Sequence, residues 1–348
     1  MYERGVTKEP VRLTQYALSG GCGAKLALGE LDDVLSTLAC RGGAQVIVGL
    51  DTRDDAGVVR YKGNVGLVHT IDVITPLVDE PEAYGRVAAA NAVSDIWAMG
   101  GVPTSAVSLL GVPEALPRSV LSPMMRAAEK LLDEAGAPLI GGHTVKDAEL
   151  KLGFAVAGTV DLRKMLANTK ARPGDRLILT KRLGTGILYQ ALKKGLRTAA
   201  ETKVVIRSMT TLNRQARDVA VAVGVRAGTD VTGFGLVGHA RNLARGSKVD
   251  LVIEAGALPA LLGVAKYLEQ GVFPGTIQAN LRGYGADLVV AEGVREDQVR
   301  LAADPQTSGG LLLCVPKSKA AQVQKELGAW EVGGVEKASG RTGRVHLR

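Results

Sequence analysis

Apolar and polar positions follow two rhythms along the chain. Runs of strand length lie at Ala44 to Leu50, Val65 to Ile71, Pro103 to Leu110 and Lys151 to Asp161. Between them stand stretches of helix length. Pro81 to Met99 opens on proline and closes on Gly100-Gly101, and Pro117 to Ala135 stops at Gly136. Leu139-Ile140 runs into Gly141-Gly142-His143. The second half repeats the mixture. Strands are expected at Arg176 to Thr180, Val249 to Ile253 and Leu311 to Val315, with short strands at the end. Helices are expected at Gly186 to Leu192, Val204 to Val223, Leu236 to Ala244 and Lys317 to Leu327. Strands mixed with helices in both halves predict an α+β (mixed α/β) chain of two domains. The polar turn Lys170 to Asp175 sets the boundary, giving domains 45–165 and 166–348. The preceding segment, 1–44, is glycine-punctuated, with one helix expected over Leu28 to Cys40. Its stretch Ser19 to Lys25 holds three glycines, costly inside helix or strand, and reads as a mobile loop.

Composition narrows the classes. The chain has 348 residues, 46% apolar and 22% charged, which suits a globular protein with a large core. Only 2 Trp, 7 Tyr and 3 Phe are present, so that core must be aliphatic. No apolar run reaches the ~18 residues of a membrane span, and no secretory pattern opens the chain. Three cysteines, Cys22, Cys40 and Cys314, form neither a disulfide framework nor a Cys-x-x-Cys zinc site, so a cytoplasmic location is expected. Net charge is +8, but the basic residues are scattered, with no stacking platform between them. That pattern argues against nucleic acid and membrane partners and suits small polyanions such as nucleotides.

The common nucleotide motifs fail. Ala24-Lys25-Leu26 breaks a Walker A pattern, and Tyr189 replaces the last glycine of a dinucleotide fingerprint after Gly184-Thr185-Gly186. The four histidines lack metal spacing. Aspartates are more suggestive. Asp51-Thr52-Arg53-Asp54-Asp55 follows the first strand, Asp72 closes the next, and Asp95 lies on the following helix four residues after Asn91. Strand ends and a facing helix can bring Asp54, Asp55, Asp72 and Asp95 together. Such acids either solvate turns separately or converge, and converging carboxylates repel unless a cation stands between them. An oxygen-only donor set points to Mg²⁺ shared with phosphates. Asp230-Val231-Thr232-Gly233-Phe234-Gly235 offers another acid or a helix cap. Cys22, three residues before Lys25, reads as an accessible thiol whose thiolate the ammonium favours. Cys40 and Cys314 read as core.

Together these segments resemble the selenophosphate synthetase (selenide, water dikinase) family. The blocks are Leu13 to Tyr16, Gly21-Cys22-Gly23-Ala24-Lys25, Thr52 to Asp55, Asn91 to Gly101, Gly141-Gly142-His143, Asp230 to Leu236 and Asp304 to Gly310, in the family's order. The resemblance implies an N-terminal domain whose mixed sheet pairs across a homodimer into a β-barrel, and a C-terminal α+β domain. It implies that ATP, selenide and water become selenophosphate, AMP and phosphate, with Mg²⁺ in the site. By motif position it implies that Cys22 and Lys25 are catalytic. Asp55, Asp95 and Asp230 match metal ligands. Lys25, Thr52, Arg53, Asp54, Asp72, Asp95 and the Gly142-His143-Thr144 turn match nucleotide contacts. Many members carry a second Cys where this chain has Ala24. Two alternatives remain: an ADP-forming relative acting on a ribonucleotide amide or thiamine phosphate, and a non-catalytic nucleotide- or selenium-binding relative.

Overall fold

The computed structural model describes residues 11–26, 28–38 and 43–348. The first half builds a six-stranded sheet. Its strands are β1 (Val46–Val48), β2 (Gly57–Lys62), β3 (Val65–Ile74), β4 (Val102–Val112), β5 (Leu139–Lys146) and β6 (Lys151–Asp161), in the order β1-β2-β3-β6-β4-β5. All pairs are antiparallel except β4 with β5, so the sheet is mixed. Helix α1 (Leu28–Ser36) precedes the sheet, α2 (Pro81–Ala98) follows β3, and α3 (Leu121–Ala135) follows β4. β2 escapes the hydrophobic pattern because Gly57–Lys62 carries only two apolar side chains and one aromatic on a largely exposed hairpin arm. No barrel closes among the described residues of the single chain. β5 ends the sheet as an exposed edge, and Gly142, His143 and Thr144 lie in that strand, not in a turn.

Helix α2 is buried almost throughout, from Ala83 to Ala98. Its run of Ala, Val and Gly packs between the sheet and α3, and small side chains are what allow that close approach. At Gly85 a Cβ would stand 2.0 Å from the Met124 carbonyl oxygen of α3. Gly85→Ala should therefore pry α2 from α3 and cost about 1–3 kcal/mol, the usual penalty for overpacking. A lower urea midpoint measures it; an unchanged midpoint would show that the α2–α3 contact is not tight.

The second half forms a seven-stranded sheet. Its strands are β7 (Arg176–Leu179), β8 (Ala227–Asp230), β9 (Val249–Ile253), β10 (Leu288–Val290), β11 (Leu311–Val315), β12 (Trp330–Lys337) and β13 (Val345–Leu347), ordered β10-β13-β9-β12-β7-β11-β8. The helices are α4 (Thr185–Lys193), α5 (Ala199–Thr210), α6 (Arg214–Val223), α7 (Gly235–Ser247), α8 (Val264–Glu269), α9 (Thr276–Tyr284), α10 (Glu296–Ala303) and α11 (Lys317–Leu327). The single helix expected over Val204 to Val223 is two, α5 and α6. Asn213 divides them because its buried amide donates to Ser94 Oγ on α2 and to the Gly309 carbonyl, both at 2.9 Å. Tertiary bonds here override local helix propensity. Cys314 is core, as expected. Helix α1 ends at Ser36, and Cys40 lies outside the described residues.

Candidate active site

Four elements converge where the two sheets meet. β3 brings Asp72, and α2 brings Asn91 and Asp95 on one face, one turn apart. The loop between β1 and β2 brings Asp55. β8 ends on Asp230, in register with Leu311 of β11. Thr229 Oγ1 of β8 donates to Asp55 Oδ1 at 2.6 Å, joining the two halves. Thr70 of β3 donates to Asp95.

These acids are under electrostatic stress. Burial, then the neighbouring Asp230 charge, holds the Asp55 and Asp95 carboxyls well above the usual range. Burial raises Asp230 to about 6, with Asp72 adding to the rise. One oxygen of Asp55 and one of Asp230, both Oδ2, are buried with no hydrogen-bond partner. Buried carboxylate oxygens without donors are costly, and a divalent cation would satisfy both. The chemistry of the donor set therefore fits a hard, oxygen-seeking ion. Ligand atoms of Asp55, Asp230 and His239 all lie within 4.8 Å of one another. His239 is nevertheless a poor ligand. Its Nε2 accepts the Thr232 amide at 3.1 Å, so a neutral ring carries its proton on Nδ1. Burial lowers His239 to about 3, which keeps the ring neutral. It braces the turn after Asp230.

The loop with Cys22 and Lys25 packs onto this cluster. The Lys25 ammonium binds Asp72, whose other oxygen accepts Asn91 Nδ2 at 2.6 Å. Burial would lower Lys25, but the charge of Asp72 outweighs it and the ammonium is held above its usual range. Asn91 Oδ1 accepts the Ser308 amide at 2.8 Å and the Cys22 thiol at 3.2 Å. The Cys22 amide donates to Thr307 Oγ1 at 3.0 Å. Gly21 makes the approach possible. Its φ is +60°, and a Cβ there would stand 2.2 Å from Thr307 Oγ1.

This arrangement corrects the expectation of an accessible thiol with its thiolate favoured. Cys22 is only 1% exposed, and burial pushes its thiol up to about 12 despite the nearby Lys25. The amide geometry agrees. The Ser308 N–H can only donate, so Asn91 Oδ1 faces the sulfur as an acceptor and the packed-down loop holds Cys22 as a thiol.

A cavity of about 690 Å³ opens between α1, the first sheet and α7. Its walls are largely apolar, with Leu50, Ile71, Val107 and Phe234 among them, and Arg53, Asp54 and Asp55 stand on its lining. Asp55 thus links this cavity to the acid cluster. Thr52 donates to Asp54, whose Oδ1 accepts the Asn168 amide at 2.6 Å across the domain boundary. Arg53 pairs with Asp32 of α1 at 3.4 Å.

The chain is 41% identical over 334 residues to the selenide, water dikinase of Myxococcus xanthus, covering 95% of this chain and 94% of that one. It is 39% identical over 335 residues to the selenide, water dikinase of Caldanaerobacter subterraneus subsp. tengcongensis, covering 94% and 96%. The chain belongs to the selenide, water dikinase family. The domain models of AIR synthase related proteins agree, the N-terminal model matching residues 53–160 and the C-terminal model residues 172–346. Among solved structures, thiamine monophosphate kinase from Aquifex aeolicus shares the fold with a TM-score of 0.66 at 21% identity, over 92% of this chain and 96% of that one. The hydrogenase maturation protein HypE in complex with ATP shares it with a TM-score of 0.61 at 19% identity, over 85% of each.

In this member of the dikinase family the expected site residues divide into three groups. Cys22, Lys25, Asp55, Asp72, Asp95 and Asp230 come together. Arg53 and Asp54 line the apolar cavity, and Thr52 donates to Asp54 behind them. Gly142, His143 and Thr144 lie apart, on the exposed edge strand β5 and paired with Ser108, Leu109 and Leu110. Sequence reasoning gave no role to Thr229, Thr307, Ser308 or His239. Thr307 and Ser308 fall in the Asp304 to Gly310 block, whose only signal was the resemblance.

Proposed function

We propose that this chain makes selenophosphate from ATP, selenide and water, releasing AMP and phosphate. One observation carries the reading: the loop thiol and Lys25 are bonded, through Asn91 and Asp72, onto a cluster of buried acids in a chain of the selenide, water dikinase family. The apolar cavity takes the nucleotide base and ribose, with Asp54 and Asp55 toward the phosphates. Asp55, Asp95 and Asp230 hold Mg²⁺, which supplies positive charge against the triphosphate. Lys25 adds charge where the bond to the γ-phosphate weakens. Hydroselenide is already anionic near neutral pH, so the site needs no strong base. The glycines of the loop let Cys22 leave Asn91 and meet selenium.

An anaerobic incubation with ATP, Mg²⁺ and selenide tests this. AMP and a phosphorus–selenium product seen by ³¹P NMR are expected. ADP as the final product, without a phosphorus–selenium signal, would favour the ADP-forming alternative.

We further propose that the active form is a homodimer paired through the first sheet. In the single chain the edge strand β5 leaves Ile140 68% exposed and Val145 49% exposed. Unpaired edges and apolar faces of this kind call for a partner. Such pairing is also the route by which Gly142, His143 and Thr144 could enter a site. Ile140→Arg should turn a dimer into a monomer in sedimentation equilibrium; a monomeric parent protein would end this part of the reading.

A further inference from the structure

A second cavity, of about 600 Å³, lies against the Cys22 loop, and it shares no lining residue with the cavity assigned to the nucleotide. Cys22, Lys25, Gly233, Thr276, Ala279 and Arg282 are among its walls. Cys22 and Lys25 thus stand in the wall of this cavity, with the sulfur turned to Asn91 and the ammonium to Asp72, whereas Asp54 and Asp55 line the other.

The wall behind the loop is built closely. At Gly233 a Cβ would stand 2.7 Å from the Cys22 carbonyl oxygen, so the loop lies directly on the turn that follows Asp230. The buried Asn280 of α9 donates to the Gly233 and Ala303 carbonyls at 3.0 and 3.1 Å, which fixes α9 against that turn. The helix thus forms a firm outer wall facing the loop. Arg282 is exposed at its C-terminal end. Lys25 and Arg282 make two cations among the lining residues. The one carboxylate beside them, Glu30, is already engaged by a partner.

We propose that this second cavity is the entrance for the acceptor: a small, soft anion of the hydroselenide kind reaches Cys22 and Lys25 from the α9 side while the nucleotide occupies the first cavity. The idea rests on the functional reading above and adds a separate route to it. The exposed Arg282 attracts a monoanion toward the loop, and when the loop lifts from Asn91 and Asp72 the sulfur it carries is the soft group that suits selenium. Separate doors also solve a charge problem. An anion arriving through the nucleotide cavity would pass along the triphosphate, whereas from the α9 side it meets Lys25 first.

The test fills each cavity in turn. Ala279→Trp should raise the KM for selenide about tenfold or more while leaving the KM for ATP within about twofold, since only one substrate uses that door. The same variant should slow iodoacetamide labelling of Cys22, followed by peptide mass, because the reagent must reach the sulfur by this path when the loop lifts from Asn91. Val107→Trp, filling the first cavity, should do the reverse: a raised KM for ATP and unaltered labelling. Arg282→Glu, at an exposed position, should raise the KM for selenide severalfold with ATP unaffected, and it decides the matter if Ala279→Trp does not fold. Equal rises in both KM values, or Cys22 labelling as fast in Ala279→Trp as in the parent, overturn the second door. A parent protein that is silent with selenide refutes the functional reading alone, and the labelling rates still decide the cavity.

Discussion

Asp230→Asn should lower Mg²⁺-dependent ATP turnover on the order of 100-fold, the scale on which loss of one charge-stabilising group in an active site is felt, and should make the metal-free protein more stable. The two effects share one cause. Asp230 stands buried beside Asp55 and Asp95, and in the folded chain its carboxyl titrates near 6. An unfolded chain titrates it near its ordinary value of 3.8. The folded state therefore binds the proton more tightly, and folding stability of the metal-free protein falls as pH rises from about 4 through 6. Asp55 and Asp95, raised in the same direction, extend that fall to higher pH. On the proposed function Mg²⁺ would bind the ionised form and should restore the lost stability. Thermal melts with and without Mg²⁺ across this pH range, for parent and variant, measure both parts. A metal-free parent whose stability rises over that window, or a variant with unchanged Mg²⁺ dependence, would remove Asp230 from the metal site.

Cys22→Ser should abolish selenide-dependent turnover, by ~100-fold or more as expected for loss of a group that acts in the chemistry, while ATP binds within about threefold of the parent. The serine hydroxyl can donate to Asn91 Oδ1 as the thiol does, so the loop still packs against Thr307 and Ser308. What changes is the atom: oxygen is hard where sulfur is soft and polarizable. Equilibrium binding of a non-hydrolysable ATP analogue, set beside turnover, separates the two. Equal loss of both would mean that Cys22 supports the fold of the site and not its chemistry.

Much of the fold was legible residue by residue. α2 and α3 announced themselves through proline at one end and glycine at the other, and both are helices close to the expected bounds. β6 spans Lys151–Asp161, the very residues its pattern marked. Several of the elements missed have weak patterns. β2 is polar on an exposed hairpin, β8 is only Ala-Gly-Thr-Asp, and α9 mixes polar and apolar residues without a strong cap. For the site, local spacing tied Asn91 to Asp95 and strand ends to Asp55 and Asp72. Thr307 and Ser308 lie more than 200 residues from the Cys22 and Asn91 they bond, and no local signal connects such partners.

Residue order alone sets which chemical groups this protein owns: a single loop thiol, a lysine three residues on, and aspartates at the ends of apolar strands. Those follow from residue type and short-range periodicity, which any chain displays before it folds. Their state is a matter of packing. Whether Cys22 is thiolate or thiol depends on how far its burial outweighs the charge of Lys25, and whether aspartates repel depends on how near Asp230 comes to Asp55. Burial and through-space distance are properties of the packed chain, and they turned an expected exposed nucleophile into a covered thiol bonded to Asn91.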